Sequence, residues 1–223
     1  MKYVFITTVS HQPTLHAVLY ESNDPDLTGT TKTAYPIFNL MHAIVAKLHD
    51  GNTTDEEKPV FELIAILYPS ERARQNLALL ETAVDEFSFA TRVNVQFTLI
   101  HQGLEETSRE HLNLFLALVK AIPERCNLYV DITYGTKPTP VTLFAVLLYL
   151  KNLRSLCAVR RIVYGQIESW QPDAATQSNI PTKATLYDIS KLFSIVSVAE
   201  KMAQFGGENL DEAMLELVIA ATQ

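Results

Sequence analysis

Glycine is scarce in this chain, with seven in 223 residues, and neither G-x-G-x-x-G nor a Walker-type lysine loop occurs. The familiar glycine-rich sites for dinucleotides and ATP are therefore disfavoured. Cysteine is scarcer still: Cys126 and Cys157 lie far apart in sequence and lack metal-ligand spacing. That usage fits a reducing cytoplasm rather than a disulfide scaffold. The histidines, at positions 11, 16, 42, 49, 101 and 111, form no ligand pattern, so no metal and no cofactor are expected. No apolar run reaches the roughly 18 residues of a membrane span, and the longest, 141–150, has the length of a buried helix. The opening residues enter a strand pattern directly, without a signal-peptide profile. Positive charge is also in deficit. A net charge of −7 argues against broad binding to long nucleic acid, yet it permits a small anion in a local positive pocket.

What is present is an alternation of strand and helix signals over an apolar half of the composition. Apolar or alternating runs at 2–7, 60–67, 93–100, 128–133 and 158–164 predict strands. Helical periodicity predicts helices over 36–49, 70–90, 105–121, 140–152, 190–205 and 208–221. The runs 14–21 and 30–35 flank a turn-rich segment and predict a hairpin near the N-terminus. Residues 50–58 and 171–182 are polar and loop-like, 184–188 predicts a short strand, and Gly206-Gly207 suits a helix stop. The single Trp170, placed at the start of a loop, suits an interface first and a pocket second. The expected fold is α/β and Rossmann-like: a mostly parallel sheet with helices on both faces.

Ligands of such sheets sit beyond the carboxyl ends of the strands. Those ends carry Thr7, Thr8 and Ser10, then Tyr68, Ser70 and Arg72, then His101, then Thr133-Tyr134-Gly135-Thr136-Lys137. The last of these is the strongest. An apolar strand, 129–132, runs into a turn with a hydroxyl, a glycine and a lysine, and Pro138 and Pro140 open a helix. Such a turn gathers backbone N–H groups, a helix N-terminus and a cation, which suits a phosphate-bearing ligand. Each residue also has a plainer role: Thr and Ser as helix caps, Gly135 as a turn residue, Lys137 as a solvated cation. Asp131, between Val130 and Ile132, needs hydrogen-bond partners if buried; capping nearby N–H groups is the reading favoured over acid–base work.

Val130-Asp131-Ile132-Thr133-Tyr134-Gly135-Thr136-Lys137-Pro138 resembles the D-[IL]-T-H-G-F-R-x-x-P signature of the CRISPR-associated Rossmann-fold (CARF) family. Phe5-Ile6-Thr7-Thr8 resembles that family's first strand and loop. Lys32-Thr33-Ala34-Tyr35-Pro36 resembles its K-T-x-[FY]-[FY]-P segment. Ile162-Val163-Tyr164-Gly165 and Leu186-Tyr187-Asp188-Ile189 resemble later segments, and the correspondences run in order to Gly207. Tyr134 replaces the usual His, and Thr136-Lys137 replaces Phe-Arg. Lysine keeps the charge without the bidentate fork of arginine.

The resemblance implies a homodimer that binds a cyclic oligoadenylate, of four or six units, across its two-fold axis. The binding set it implies is Thr7, Thr8, Ser10, Lys32, Thr33, Tyr68, Ser70, Arg72, Thr133, Tyr134, Gly135, Thr136 and Lys137, with adenine stacked on Tyr134 or Tyr68. A sensor domain over 1–207 then precedes a helix over 208–223 that serves as linker, dimer element or the start of an effector. Members usually carry such an effector, and none is expected in this chain. Two alternatives stand beside the sensor. One is a metal-independent ring nuclease, with Lys137, Ser10 and Thr136 as candidate catalytic residues, in which a 2′-OH attacks the adjacent phosphate. The other is a generic α/β protein that uses apolar surfaces for assembly.

Overall fold

The computed structural model describes residues 2–50, 59–103, 105–172, 179–205 and 210–222. Of the expected loop over 50–58, Asp50 closes the first helix and 51–58 lie outside the described residues, as does the Gly206-Gly207 stop. In chain order the elements are β1 (Lys2–Thr8), β2 (Tyr20–Glu21), α1 (Ile37–Asp50), β3 (Val60–Leu67), α2 (Glu71–Thr91), β4 (Val95–His101), α3 (Ser108–Ala121), β5 (Cys126–Asp131), α4 (Pro138–Leu153), β6 (Cys157–Pro172), β7 (Asn179–Asp188), α5 (Ser190–Phe205) and α6 (Leu210–Thr222).

One sheet runs in the order β2-β7-β6-β5-β1-β3-β4. Pairing is parallel across β6, β5, β1, β3 and β4 and between β2 and β7, and antiparallel between β6 and β7. This is the Rossmann-like order. The chain steps outward from β1 through β3 to β4, then returns to the other side of β1 at β5. The switch point therefore falls between β1 and β5, where neighbouring connections leave in opposite directions and open a crevice.

Apolar residues along the central strands explain their position. β5 is buried at every residue, and β3 at all but its first. Successive side chains enter opposite layers. Phe5, Leu63 and Tyr129 join α1 and α2 on one face. Val4, Ile6, Ile64, Leu128 and Val130 join α3, α4 and Phe193 of α5 on the other. Local signals set the helix ends. Ser70 Oγ accepts from the Ala73 N–H at 3.0 Å, and Thr107 Oγ1 from the Glu110 N–H at 3.3 Å. Thr107 as cap moves the start of α3 to Ser108, and α4 begins at Pro138 rather than at Pro140.

Two expectations are revised in form. The N-terminal hairpin is a single antiparallel bridge, Val18 to Thr33, and β2 pairs in parallel with β7 instead. Between them a short 3-10 turn, Pro25–Leu27, is capped by Asp24 and buries Leu27. Of the expected polar loop over 171–182, the described residues are strand in a long ribbon: β6 continues to Pro172 and β7 begins at Asn179, while 173–178 lie outside the described residues. Trp170 sits in this ribbon, half-exposed, with its ring against His16.

Gly165 leaves no room for a side chain near the switch point. A Cβ there would stand 2.5 Å from Pro36 Cγ and 3.0 Å from Tyr20 Cε1. Gly165→Ala is expected to cost about 1–3 kcal/mol through overpacking, read as a lower urea midpoint. An unchanged midpoint contradicts this packing.

Candidate functional site

Asp131 ends β5 at the switch point and is fully buried. Its Oδ2 accepts from Thr7 Oγ1 at 3.1 Å, which ties β5 to the end of β1. Its Oδ1 accepts from the Thr133 N–H at 2.9 Å and from Thr133 Oγ1 at 2.5 Å. The N–H of Ile37, at the start of α1, points at it as well, so the carboxylate also meets a helix N-terminus. Burial pushes its pKa up to about 6, against the pull of these donors. The expected role as a cap for nearby N–H groups is the one found.

Thr133 relays this order outward. Its Oγ1 accepts from the Gly165 N–H at 2.8 Å while donating to Asp131. Tyr134 then reaches back to the 32–36 segment: its hydroxyl donates to the Ala34 carbonyl at 2.7 Å, and its ring meets Tyr35 edge-on. Gly135 has φ 117°, the left-handed region that side chains avoid, and a Cβ there would press on Thr139 at 3.1 Å. Thr139 Oγ1 accepts from the Thr136 N–H at 3.1 Å, and the Thr139 N–H donates to the Thr136 carbonyl at 3.0 Å. The helix start is therefore largely self-satisfied. Pro138 and Pro140 carry no N–H, so an anion here meets the Lys137 side chain and the dipole more than a fan of free amides. Lys137 is exposed and helical, without a side-chain cap bond.

A second network flanks the turn. Tyr68 Oη lies 2.5 Å from Thr139 Oγ1 and 3.0 Å from Thr136 Oγ1. Thr136 Oγ1 donates to Glu106 Oε2 at 3.1 Å. Glu106 Oε2 also meets His111 Nε2 at 2.9 Å, and His111 Nδ1 meets Thr142 Oγ1 at 3.1 Å. The chain of contacts joins β3, α3 and α4 around one hydroxyl. Sequence reasoning missed Glu106 and His111, because they lie far from the turn in sequence and no spacing rule links them to it. It missed Asn76 too. This buried amide donates to the carbonyls of Ser10 and Gln12 at 2.8 and 3.0 Å and so fixes the loop after β1.

The remaining expected residues divide by burial. Thr7, Thr8, Ser10 and Tyr68 are buried. The Tyr68 ring is closed in the α3–α4 layer, so stacking an adenine on it is corrected to positioning Thr136 and Thr139. Ser70 caps α2, and Arg72 stands exposed in that helix's first turn. Lys32 and Thr33 line a cavity of about 390 Å³ that also includes residues of α1 and α2, and the turn at 133–137 does not contribute to it. Thr8 Oγ1 and Gln102 Nε2 are buried without hydrogen-bond partners. That cost is concentrated at the carboxyl ends of β1 and β4, where a functional site would justify it. Among the described residues no group of three or more His, Cys, Asp or Glu could hold a metal ion. No helix among them is long and apolar enough to cross a membrane.

No protein-family model matches the chain, and no curated protein matches it.

The raised pKa of Asp131 has a defined stability signature. An unfolded aspartate ionises near pH 4, whereas the folded one holds its proton to about pH 6. The folded state thus binds more protons between these values, and the contribution of Asp131 to stability falls as pH rises through that window. The stability of the wild type minus that of Asp131→Asn should fall by on the order of 2 kcal/mol from pH 4 to pH 6.5. Urea unfolding at several pH values measures it. A difference that is flat or rising contradicts the burial argument.

Proposed function

We propose that this chain is a sensor domain that binds a cyclic oligoadenylate across a homodimer, with cyclic tetra-adenylate ahead of the six-membered ring. One observation carries the reading. The segments that resemble the CARF family meet at one end of the sheet, through Thr7 to Asp131, Thr133 to Gly165 and Tyr134 to Ala34. The segment 186–189 joins them, with Leu186 opposite Gly165. They converge on the switch point, where a sheet of this order binds its ligands.

A surface feature supports the dimer. α4 is apolar on its outer side as well as its inner one. Val141, Tyr149 and Leu153 are exposed there at 71%, 37% and 67%, and Leu112 and Leu116 of the adjacent α3 add to the patch. An isologous contact that uses this patch, with the two-fold axis running along the helix, keeps both 133–137 turns at the same end. Lys137 and Arg72 of each chain then supply charge for the phosphates, and the Thr136 hydroxyl a polar contact. The ring-nuclease reading has its own support: Glu106 holds the half-buried Thr136 hydroxyl beside the exposed Lys137.

Cyclic tetra-adenylate at micromolar concentration should raise the melting temperature by several degrees, and linear tetra-adenylate should not. Lys137→Ala should weaken binding by on the order of tenfold to a hundredfold. Equal affinity in that variant contradicts the placement of the site. Intact ring after incubation supports the sensor; linear product supports the nuclease. Val141→Glu is expected to shift the chain from dimer to monomer in sedimentation and to abolish the thermal shift. A dimer that persists contradicts the α4 interface.

A further inference from the structure

Cys126 and Cys157 are separated by 31 positions, yet the fold sets them face to face. They are register partners at the first positions of β5 and β6. Both are buried free thiols, with their Sγ atoms 3.1 Å apart. Neighbouring strands run about 4.8 Å apart, inside the roughly 4.4–6.8 Å between Cα atoms that a disulfide spans. A bond of about 2.05 Å needs the two sulfurs to close by about an ångström, within the reach of side-chain rotation.

We propose that Cys126 and Cys157 form a reversible intrachain disulfide by exchange with a small disulfide such as oxidised glutathione. The surroundings distinguish the two sulfurs. The contact between the thiols raises the pKa of Cys126, with burial adding to it, and lowers that of Cys157. Arg154 favours the thiolate at both sulfurs, and its guanidinium is fixed by the carbonyls of Ile122 and Val119 at 2.7 and 2.8 Å. Cys157, which keeps 5% exposure where Cys126 has none and which borders the turn before β6, is the first nucleophile. Its thiolate attacks one sulfur of oxidised glutathione, forms a mixed disulfide and releases one glutathione thiolate. That thiolate takes the proton of Cys126, whose sulfur then attacks the Cys157 sulfur and expels the second glutathione. Two protein thiols have lost two electrons and two protons, and one glutathione disulfide has become two glutathiones. Access comes through the short turn before β6. There Cys126 N–H donates to the Leu156 carbonyl and Cys157 N–H to the Arg154 carbonyl, so local opening of a few residues bares Cys157 while the sheet stays paired.

The bond would close a loop that contains β5, the turn at 133–137 and all of α4. It lies at the opposite end of the strands from the turn and does not depend on what the turn binds.

The test exposes the whole chain to oxidised glutathione, unfolds it, caps free thiols with N-ethylmaleimide and weighs it intact. The expected product carries no maleimide, is lighter than the reduced chain by two hydrogen atoms and reverts with dithiothreitol. Its melting temperature should rise by several degrees. Two maleimides after prolonged exposure overturn the proposal, as does a lasting glutathione adduct or a link between two chains. Cys126→Ser should stop at the mixed disulfide on Cys157. Failure of that variant to take up glutathione overturns the assignment of Cys157 as first nucleophile.

Discussion

A carboxylate without solvent contact organises the functional end of this sheet. Asp131 accepts from β1 through Thr7, from its own turn through Thr133, and faces the first N–H of α1. Removing a carboxylate from water is costly unless donors surround it. Here the donors come from three elements that meet only in this fold. The same atoms that satisfy the charge therefore fix how β5, β1 and α1 sit around the switch point. Thr133 extends the order to β6 through Gly165, and Tyr134 extends it to the segment before α1. The turn that carries Thr136 and Lys137 is positioned by what lies beneath it.

That turn is rigid for a second reason. Gly135 takes a backbone conformation that suits glycine, against a neighbour, Thr139, that leaves no room for a side chain. Thr136 and Thr139 satisfy each other's backbone groups, and Tyr68 holds both hydroxyls from below. Lys137 is left as an exposed cation on a fixed base. A preorganised base lowers the ordering cost of binding a charged ligand. Beyond the turn, α4 is apolar on both sides, which a helix in contact with solvent on one side does not need.

Much of this was legible in the sequence. The buried strands β1, β3 and β5 announce themselves as continuous apolar runs, and α1 and α3 as periodic ones, because both patterns follow from burial. The turn at 133–137 was legible because a strand, a glycine and a proline-led helix occur in direct succession. The β6–β7 ribbon was legible only in part, at 158–164 and 184–188. Its outer residues alternate with polar ones, and Pro172 and Pro181 imitate loop punctuation, while the register that pairs it is set by partners across the ribbon. Tyr68 reads as a surface aromatic at a strand end, yet its ring completes the α3–α4 layer. Glu106, His111 and the Cys126–Cys157 pair come together only through tertiary packing, so no local pattern could join them.

We propose that the switch-point turn is half of a two-fold site for a cyclic oligoadenylate. Native mass spectrometry of the chain mixed with cyclic tetra-adenylate tests it most directly. The expected result is a species of two chains with one ring, strongly reduced in Lys137→Ala. One ring on each single chain, or two chains with no ring at a several-fold ligand excess, would contradict it.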